Sequence, residues 1–367
     1  MTARLAQLEL HLPGLLKLLG EHLYSDRRVA FRELVQNAHD SCVRRRLEDP
    51  SAPESRVSIR LEERDGRAWV CFDDNGLGLT DGEIERFLST IGRGQTGAIK
   101  QELGAARTEE LVGQFGVGLL SAFLIGDRVV VTTRRVGEPQ GWQWICDGQQ
   151  TYRLEEKDVA SEGTSVAVRL RDDARDLASP ARVREAVRHY AGWLETPIAI
   201  DGSPLSTRAL PWSDQLSRIT PLELATSLCD DRPPLAVVEL APFEDPELGT
   251  VPLHGLLAIP EGSQLSVREY GRATVLIRRM LVDPRAEGLL PRWARFVTGM
   301  IDCARLEPTA SRETVRHERV FAAVRDAIEV QLTEALQRIA DEEPQRWQRI
   351  IDAHAALLKR WALDSAV

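Results

Sequence analysis

The stretch FRELVQNAHDS, residues 31–41, carries the polar pattern on which the fold assignment depends. The apolar periodicity predicts a helix with Asp26 as its N-cap. Glu33, Asn37 and Asp40 follow the spacing i, i+4 and i+7, so their side chains project from one helix face. A carboxylate there can activate a water, and a carboxamide oxygen can ligate magnesium. The pattern alone is also compatible with an ordinary solvated helix face.

A second element is the turn that follows a predicted β-hairpin. Alternating residues at 57–61 and 68–72 flank a turn at 64–67, which predicts two antiparallel strands. The sequence DDNGLGLT, residues 73–80, comes directly after the second strand. Its Asp74 can accept a hydrogen bond from an exocyclic amine such as that of adenine, and its glycines allow close backbone approach. An ordinary Asp-Asn-Gly turn is the alternative interpretation.

A third element is the glycine-rich sequence GQFGVG, residues 113–118, before an apolar stretch at 119–125 that is predicted to be helical. Its glycine spacing matches neither the dinucleotide fingerprint nor the P-loop. Free N–H groups at a helix N-terminus nevertheless bind phosphate, so a phosphate loop and a flexible loop both remain open. Thr164, at the start of a predicted strand, offers a hydroxyl for the base or is simply a strand residue.

The pattern of elements predicts an α+β protein of two domains, with residues 206–214 as a linker. Strands are predicted at 8–12, 57–61, 68–72, 129–133, 142–146, 151–154, 165–170, 235–240, 253–259 and 273–281. Helices are predicted at 15–47 with an interruption near residue 25, and at 81–90, 119–125, 181–194, 293–300 and 315–363.

Composition limits the class of protein. The chain has 367 residues, 43% of them apolar, which is enough for two cored domains. Its net charge of −9, from 47 basic and 56 acidic side chains, disfavours nucleic acid as a partner. Five cysteines without a C-x-x-C pair predict neither structural zinc nor a disulfide framework, and favour the cytoplasm. The sequence lacks an apolar run of about 18 residues, so no membrane partner is expected.

Together, in this order, these elements resemble the ATP-binding fold shared by gyrase-type topoisomerases, sensor histidine kinases, MutL mismatch-repair proteins and heat-shock protein 90 chaperones. The chaperones, in their bacterial form, are the closest match. Residues 31–41 resemble their helix and residues 73–80 their adenine turn. LSTIGRGQTG (88–97) resembles the start of their lid, and GQFGVGLLSAFLIGDRVVVTT (113–133) their phosphate loop, helix and strand. RRMLVDPRAEGLLPRWARFVTGMIDCARLEPTASRE (278–313) resembles their middle domain.

The resemblance implies a two-layer α/β sandwich of the Bergerat type over 1–205, with a lid at about 92–113. It implies an α/β middle domain over 215–367, and the family's C-terminal dimerisation domain is expected to be absent. The implied function is an ATP-dependent chaperone in the stress response, whose clamp-like cycle acts on client proteins. The implied oligomer is a homodimer paired through ATP-dependent N-terminal contacts, with the strand at 8–12 as the candidate pairing segment.

The same resemblance implies roles for single residues, with ATP and Mg²⁺ as ligands. Glu33 would orient or deprotonate the attacking water, and Asn37 would ligate magnesium. Asp74 would accept from the adenine amine, and Arg312 would reach the γ-phosphate as an in-chain arginine finger. The remaining implied nucleotide contacts are Asp40, Arg44, Gly78, Arg93, Gln114, Phe115, Gly116, Val117, Gly118, Leu119 and Thr164.

Three departures from the family pattern leave nucleotide affinity and lid timing open. Phe87 stands where the family often has asparagine, Leu119 replaces an aromatic residue and Thr309 replaces an asparagine. A DNA-processing ATPase of the same superfamily is one alternative. A histidine kinase is disfavoured because only His11 and His22 precede the ATP helix. A nucleotide-gated interaction module with little turnover, in a stress or defence pathway, is a third interpretation.

Overall fold

The computed structural model describes residues 14, 26–88, 118–205, 209–215, 218–262, 271–309, 311 and 313–364. The chain divides into two compact units, Met1–Ser206 and Thr207–Val367. Within the described residues, no helix is both long enough and apolar enough to cross a membrane.

The first unit is built on an eight-stranded sheet whose spatial order is β5-β4-β3-β6-β2-β1-β7-β8. Neighbouring strands are antiparallel except for β1 and β7, which run parallel. Its strands are β1 (Val57–Arg64), β2 (Arg67–Asp74), β3 (Gly126–Arg134), β4 (Gly141–Cys146), β5 (Tyr152–Lys157), β6 (Gly163–Leu170), β7 (Ile198–Ile200) and β8 (Ser203–Pro204).

The predicted hairpin is confirmed as β1 and β2, which pair antiparallel from Val57 opposite Asp74 to Arg64 opposite Arg67. Asp65 and Gly66 form the turn, with φ of 51° and 68°. Both angles are left-handed, as a two-residue turn that continues the strand twist requires. The register leaves Asp74 at the end of β2, beside the start of β1.

The helices of the first unit partly match the prediction. They are α1 (Val29–Glu48), α2 (Asp81–Phe87) and α3 (Pro180–Ala191), with 3₁₀ helices at Gly118–Leu124 and Asp172–Leu177. The predicted N-cap Asp26 is wrong, because α1 begins at Val29 with Arg28 at the N-cap. Asp26 instead accepts the Arg28 backbone N–H in the preceding turn, at 2.8 Å. The predicted helix at 119–125 is a 3₁₀ helix that begins one residue earlier.

Helix α1 packs its apolar side on the sheet. Phe31, Leu34, Val35 and Ala38 are buried there. The ring of Phe31 lies 5.7 Å, centroid to centroid, from that of Phe72 on β2. Each side chain of this size contributes about 1.5–3 kcal/mol on burial, so the contact fixes the rotation of α1 above the sheet. The polar face at 33–41 is consequently fixed as well.

The second unit contains a five-stranded sheet of spatial order β14-β13-β15-β12-β9. Its strands are β9 (Ala236–Leu240), β12 (Leu253–Ile259), β13 (Arg272–Ile277), β14 (Met280–Asp283) and β15 (Thr298–Cys303), and β10 (Phe243–Asp245) pairs with β11 (Gly249–Val251). Its helices are α4 (Pro221–Leu228), α5 (Arg319–Glu342) and α6 (Pro344–Asp364).

Three predictions for the second unit are wrong. The single strand at 273–281 is the hairpin β13–β14, turned at Arg278 and Arg279. The helix at 293–300 is absent, because residues from Thr298 onward form β15 between β12 and β13. The helix at 315–363 is interrupted at Glu343, since Pro344 cannot donate to the preceding turn and begins α6. The α+β class itself is confirmed.

Candidate nucleotide-binding site

The polar face of α1 is the base of the site. Glu33, Asn37 and Ser41 follow one another at i, i+4 and i+8, one helical turn apart. Glu33 is only 1% exposed, whereas Asn37 is exposed. The Oε1 atom of Glu33 pairs with Arg32 Nη2 at 3.0 Å, and Arg32 is itself 2% exposed. The buried Glu33 carboxyl group is thus paired with a guanidinium and lies one helical turn from an exposed amide.

Gly118, the first residue of the 3₁₀ helix, lies directly over this face. A methyl group added to its Cα would lie 3.3 Å from Glu33 Oε2 and 3.3 Å from Asn37 Nδ2. Only a residue without a Cβ lets the backbone come this close without pushing on the two side chains. The fold therefore brings Gly118, at the end of the glycine-rich loop, next to Asn37 on the helix face, although the two residues are 81 positions apart in the sequence.

Asp74 forms the other end of the site. Its Oδ1 accepts hydrogen bonds from Ser41 Oγ at 2.9 Å and from the Gly76 backbone N–H at 2.8 Å. Burial raises the pKa of Asp74 to about 7, although the bonds from Gly76, Ser41 and the Thr164 backbone act in the opposite direction. The carboxyl group is thus fixed by α1 and by its own turn, and its ionisation lies within the physiological range.

The glycines of the turn pack against their surroundings. A Cβ on Gly76 would lie 2.2 Å from Ser41 Oγ, and one on Gly78 would lie 2.1 Å from the carbonyl oxygen of Arg134. Gly78 also has a φ of 73°, which side chains disfavour. The turn after β2 is therefore held between α1 and the end of β3. Gly78 remains a candidate contact for a base through its backbone.

Thr164 lies opposite Asp74 in the pairing of β6 with β2. Its Oγ1 is 3.0 Å from Oγ1 of Thr133, its cross-strand neighbour on β3. Thr133 is fully buried, donates to the carbonyl oxygen of Gly163 at 2.9 Å and accepts the Leu79 backbone N–H at 3.0 Å. Since its single hydrogen is used on Gly163, the Thr164 hydroxyl donates to Thr133 and keeps lone pairs for another partner.

Asp40 and Arg44 lie farther along α1, both buried, with exposures of 5% and 7%. Arg44 Nη2 pairs with Glu83 Oε1 at 3.3 Å, and Arg135 Nη1 contacts the same oxygen at 2.8 Å. Burial lowers the pKa of Arg44, while the charge of Glu83 raises it. The guanidinium of Arg44 is thus engaged with α2, and its predicted contact with nucleotide stays a prediction.

Several predicted residues lie outside the described residues: Arg93, Gln114, Phe115, Gly116, Val117, Arg312, the lid at about 92–113 and the strand at 8–12. Leu119 is half-buried as the second residue of the 3₁₀ helix. Phe87 ends α2, and the guanidinium of Arg86 lies 5.2 Å from its ring centroid. In the second unit, Thr309 Oγ1 lies 3.2 Å from Ser311 Oγ.

Sequence reasoning missed two hydroxyl groups, Ser41 and Thr133. Ser41 continues the i+4 stripe of Glu33 and Asn37, so the helical period could have identified it. Thr133 could be found only from the pairing of β3 with β6. Among the described residues no cluster of three or more His, Cys, Asp or Glu side chains could hold a metal ion. A magnesium ligand such as Asn37 would therefore act together with phosphate and water oxygens, the donors this ion usually takes.

Comparisons with known families agree with this geometry. Residues 24–170 match the family described as histidine kinase-, DNA gyrase B- and HSP90-like ATPase. Residues 247–365 match the Hsp90 protein family.

Curated relatives match over most of the chain. They include the chaperone proteins HtpG of Nitrobacter winogradskyi, 30% identical over 96% of this chain, and of Gluconobacter oxydans, 31% identical over 96%. HtpG of Methylobacterium nodulans is 33% identical over 91%. The chain spans 58%, 59% and 57% of the length of these three relatives, respectively. The chain is thus similar to HtpG chaperone proteins over most of its own length, and its residues 247–365 are similar to the Hsp90 protein family.

Proposed function

We propose that the chain binds ATP and hydrolyses it as a chaperone-type ATPase. The observation that carries this proposal is the position of Gly118, whose backbone lies so near Glu33 and Asn37 that a Cβ would be 3.3 Å from each side chain. Backbone N–H groups at the start of a helix can bind phosphate, and this helix start lies beside a buried carboxylate and an exposed amide. The match of residues 24–170 to an ATPase family supports the same conclusion.

At the adenine end, Asp74 would accept a hydrogen bond from the exocyclic amine. The bonds from Ser41 and Gly76 fix its carboxylate before a ligand arrives, which lowers the ordering cost of binding. Thr164, whose hydroxyl donates to Thr133, would accept from the base directly or through water. Gly78 would complete this end with backbone contact.

At the phosphate end, Glu33 would orient or deprotonate the attacking water. General bases contribute roughly 10²–10⁴-fold to such reactions. Asn37 would hold magnesium through its amide oxygen, and the ion would neutralise phosphate charge. Backbone amides from Gln114 to Leu119 would hold the phosphates, and Arg93 and Arg312 would add positive charge there.

The cellular role follows from the family resemblance. ATP binding would close the segment at about 92–113 over the nucleotide, and hydrolysis would release it. This cycle would drive a clamp that acts on client proteins in the cytoplasm as part of the stress response. Two chains would pair through their N-terminal segments when ATP is bound.

One observation favours a second candidate, a nucleotide-gated interaction module with little turnover. Arg32 holds Glu33 Oε1 in a buried ion pair. The guanidinium occupies this carboxylate oxygen, so Oε1 is not open to an attacking water while the pair is formed. Turnover would then depend on release of this pair, and nucleotide binding alone would set the state of the protein.

Two variants test the proposed site. Glu33→Ala should bind ATP with affinity close to that of the unmodified protein and lose at least roughly 10²-fold in hydrolysis. Asp74→Asn should lose ATP binding. Calorimetry with a non-hydrolysable ATP analogue measures binding, and phosphate release measures hydrolysis.

The matched controls are Glu63→Ala and Asp158→Asn, which change exposed carboxylates of the same unit. Both should leave binding and hydrolysis unchanged. Normal hydrolysis by Glu33→Ala and Asp74→Asn would show that the site is assigned wrongly. Tight ATP binding by the unmodified protein without measurable hydrolysis would instead establish the nucleotide-gated module.

A further inference from the structure

Thr133 places a buried hydroxyl group behind the candidate base end of the site. Its side chain lies on β3 and is fully buried. Its Oγ1 atom lies 2.9 Å from the carbonyl oxygen of Gly163, 3.0 Å from the backbone nitrogen of Leu79 and 3.0 Å from Oγ1 of Thr164. These partners come from the start of β6 and from the turn after β2. A hydroxyl group has one hydrogen and two lone pairs, so three partners use its full capacity.

The chemistry of the three partners fixes the direction of each hydrogen bond. The carbonyl oxygen of Gly163 can only accept, so it takes the single hydrogen of Thr133. The backbone N–H of Leu79 can only donate, so it takes one lone pair. A lone pair is then all that Thr133 offers to Thr164, whose hydroxyl must donate to it. The hydroxyl of Thr164 therefore has no second hydrogen for a ligand and can only accept from one.

Thr164 lies directly opposite Asp74 in the pairing of β6 with β2. Opposed residues of antiparallel strands project from the same face, with Cβ atoms about 4.5–5.5 Å apart. The backbone packs closely here, because a Cβ on Gly163 would lie 2.1 Å from the carbonyl oxygen of Asp74. An ionised Asp74 also only accepts hydrogen bonds. A ligand placed against both side chains therefore meets acceptors from both and a side-chain donor from neither.

An amine and a carbonyl oxygen differ in how they fit two acceptors. An exocyclic amine has two N–H groups, one for each acceptor. A carbonyl oxygen at the same position has none, and its lone pairs would face other lone pairs. Sites built on hydrogen bonds reject a ligand of the wrong polarity more strongly than apolar pockets reject one of the wrong size.

We propose that Thr133 is a positioning residue that sets the base preference of the nucleotide site: it takes up the hydrogen of Thr164 and so favours a purine with an amine at position 6 over one with a carbonyl oxygen there. Thr133 acts through Thr164 and does not contact the base. The inference rests on the proposed nucleotide site and adds the residue that makes its base end selective. It requires a hydroxyl group at position 133, and not merely a side chain of that size.

The test compares ADP with IDP, which differ only in the amine or carbonyl oxygen at position 6. Calorimetry on the whole chain at about pH 8, above the pKa of about 7 for Asp74, keeps this carboxylate ionised. The quantity measured is the ratio of the two dissociation constants, because a general loss of structure weakens both ligands alike. In the unmodified protein, IDP should bind at least roughly tenfold more weakly than ADP.

Equal affinities of ADP and IDP in the unmodified protein would refute the base preference while leaving the nucleotide site in place. If neither ADP nor IDP binds, the proposed nucleotide site is wrong and the inference falls with it.

Variants of Thr133 give the second arm of the test. Thr133→Val has nearly the same shape but no hydroxyl group, so the hydrogen of Thr164 is free to point at the base. The ratio should fall roughly tenfold or approach one. Thr133→Ser keeps the hydroxyl group and should keep the ratio of the unmodified protein. An unchanged ratio in Thr133→Val would overturn the proposal.

Thr132→Val is the matched control. Thr132 lies on the opposite face of β3, where its hydroxyl accepts from Gln143 at 3.1 Å, so its removal should leave the ratio unchanged. An equal fall in Thr132→Val and Thr133→Val would also overturn the proposal. If Thr133→Val does not fold, Thr164→Val takes its place: it removes the accepting hydroxyl itself and should lower the ratio. An unchanged ratio in that variant would likewise count against the proposal.

Discussion

The hydroxyl of Ser41 donates a hydrogen bond to Oδ1 of Asp74 across 2.9 Å. This bond joins the middle of α1 to the last residue of β2, two elements that the chain connects through the hairpin at Asp65 and Gly66. It holds the Asp74 carboxyl group against the stripe of α1 that also carries Glu33 and Asn37. The two ends of the candidate site are thereby held by one helix.

Removing this hydroxyl should weaken nucleotide binding. In Ser41→Ala, Asp74 would lose one of its three donors, which are Ser41 and the backbone N–H groups of Gly76 and Thr164. A hydrogen bond to a charged group contributes about 1.5–3 kcal/mol. We expect the Kd for ATP to rise roughly tenfold, measured by calorimetry. Ser165→Ala is the matched control, because Ser165 donates at 2.6 Å to the neighbouring carboxylate Asp73. If both variants weaken binding equally, the Ser41 bond has no special role.

The affinity for the base should depend on pH. Burial raises the pKa of Asp74 to about 7. The ionised carboxylate only accepts hydrogen bonds, whereas the protonated carboxyl group also carries a donor O–H. Adenosine binding should therefore weaken as the pH falls below about 7, approaching a tenfold rise in Kd per pH unit. Adenosine is the preferred probe because the phosphates of ATP titrate in the same range. A Kd that is constant from about pH 8 to about pH 5.5 would contradict the role of Asp74.

The same ionisation should appear in stability. The folded-state pKa of Asp74, about 7, exceeds its ordinary value of 3.8, so the folded chain holds a proton that the unfolded chain releases. The stabilisation that results from this difference in pKa is fully present below about pH 4 and is lost as the pH rises through about 7. Asp74→Asn, which cannot ionise, should remove this loss. Urea unfolding of the unmodified protein and of Asp74→Asn at several pH values measures the free energy of unfolding of each. If the two free energies change with pH in the same way, Asp74 does not cause the loss of stability.

Filling the space between Gly118 and the Glu33–Asn37 face of α1 should impair the proposed ATP hydrolysis more than folding. In Gly118→Ala, the added methyl group would press on Glu33 and Asn37 at 3.3 Å each. We expect ATP hydrolysis to fall by roughly tenfold or more, since small displacements of positioned groups are costly. Gly82→Ala is the control, because a Cβ there meets nothing within 4 Å. Equal activity of the two variants would mean that nothing is bound at the Glu33–Asn37–Gly118 junction.

Glu83 should stabilise the first unit by its charge. It balances Arg44 and Arg135, and although burial raises its pKa, the hydrogen bond from Thr80 and the two arginine charges lower it overall. Glu83→Gln keeps a side chain that can cap α2 but leaves Arg44 without its counter-charge. We expect a loss of about 1–3 kcal/mol in the free energy of unfolding, less than for a fully buried pair.

This loss should appear near neutral pH and shrink at acidic pH, because a lowered pKa stabilises the fold above the ordinary pKa of the group. Thermal unfolding at several pH values measures it. Glu85→Gln, an exposed position on the same helix, is the control. A destabilisation that does not change with pH would indicate that shape rather than charge matters at Glu83.

Strands β1 and β3 could be predicted because buried and less buried residues alternate along much of each strand. In β15 the last five of six residues are buried, so the apolar run does not distinguish strand from helix. The hairpin β13–β14 was missed because its turn contains Arg278 and Arg279, with φ of 52° and 64°, rather than glycine or asparagine. Local sequence gives no sign of a turn there.

The site was predictable where it follows a helical period and not where it depends on strand pairing. Glu33 and Asn37 stand one turn apart, so the sequence itself indicates their common face. Thr133 and Thr164 meet only because β3 and β6 pair in one particular register. Alternation within a strand indicates its buried face. Which residue of a distant strand lies opposite is known only once the two strands are paired.

The close packing of Gly76 and Gly78 affects how the motif should be used to assign function in other sequences. Both glycines are required by neighbouring atoms of the protein itself, Ser41 and Arg134, whether or not a nucleotide is present. A homologue that had lost ATP binding would still have to keep them in order to fold. Retained turn glycines therefore report ancestry, and a degenerate, inactive copy of this domain would be recognised by changes at Asp74, Glu33 or Gly118.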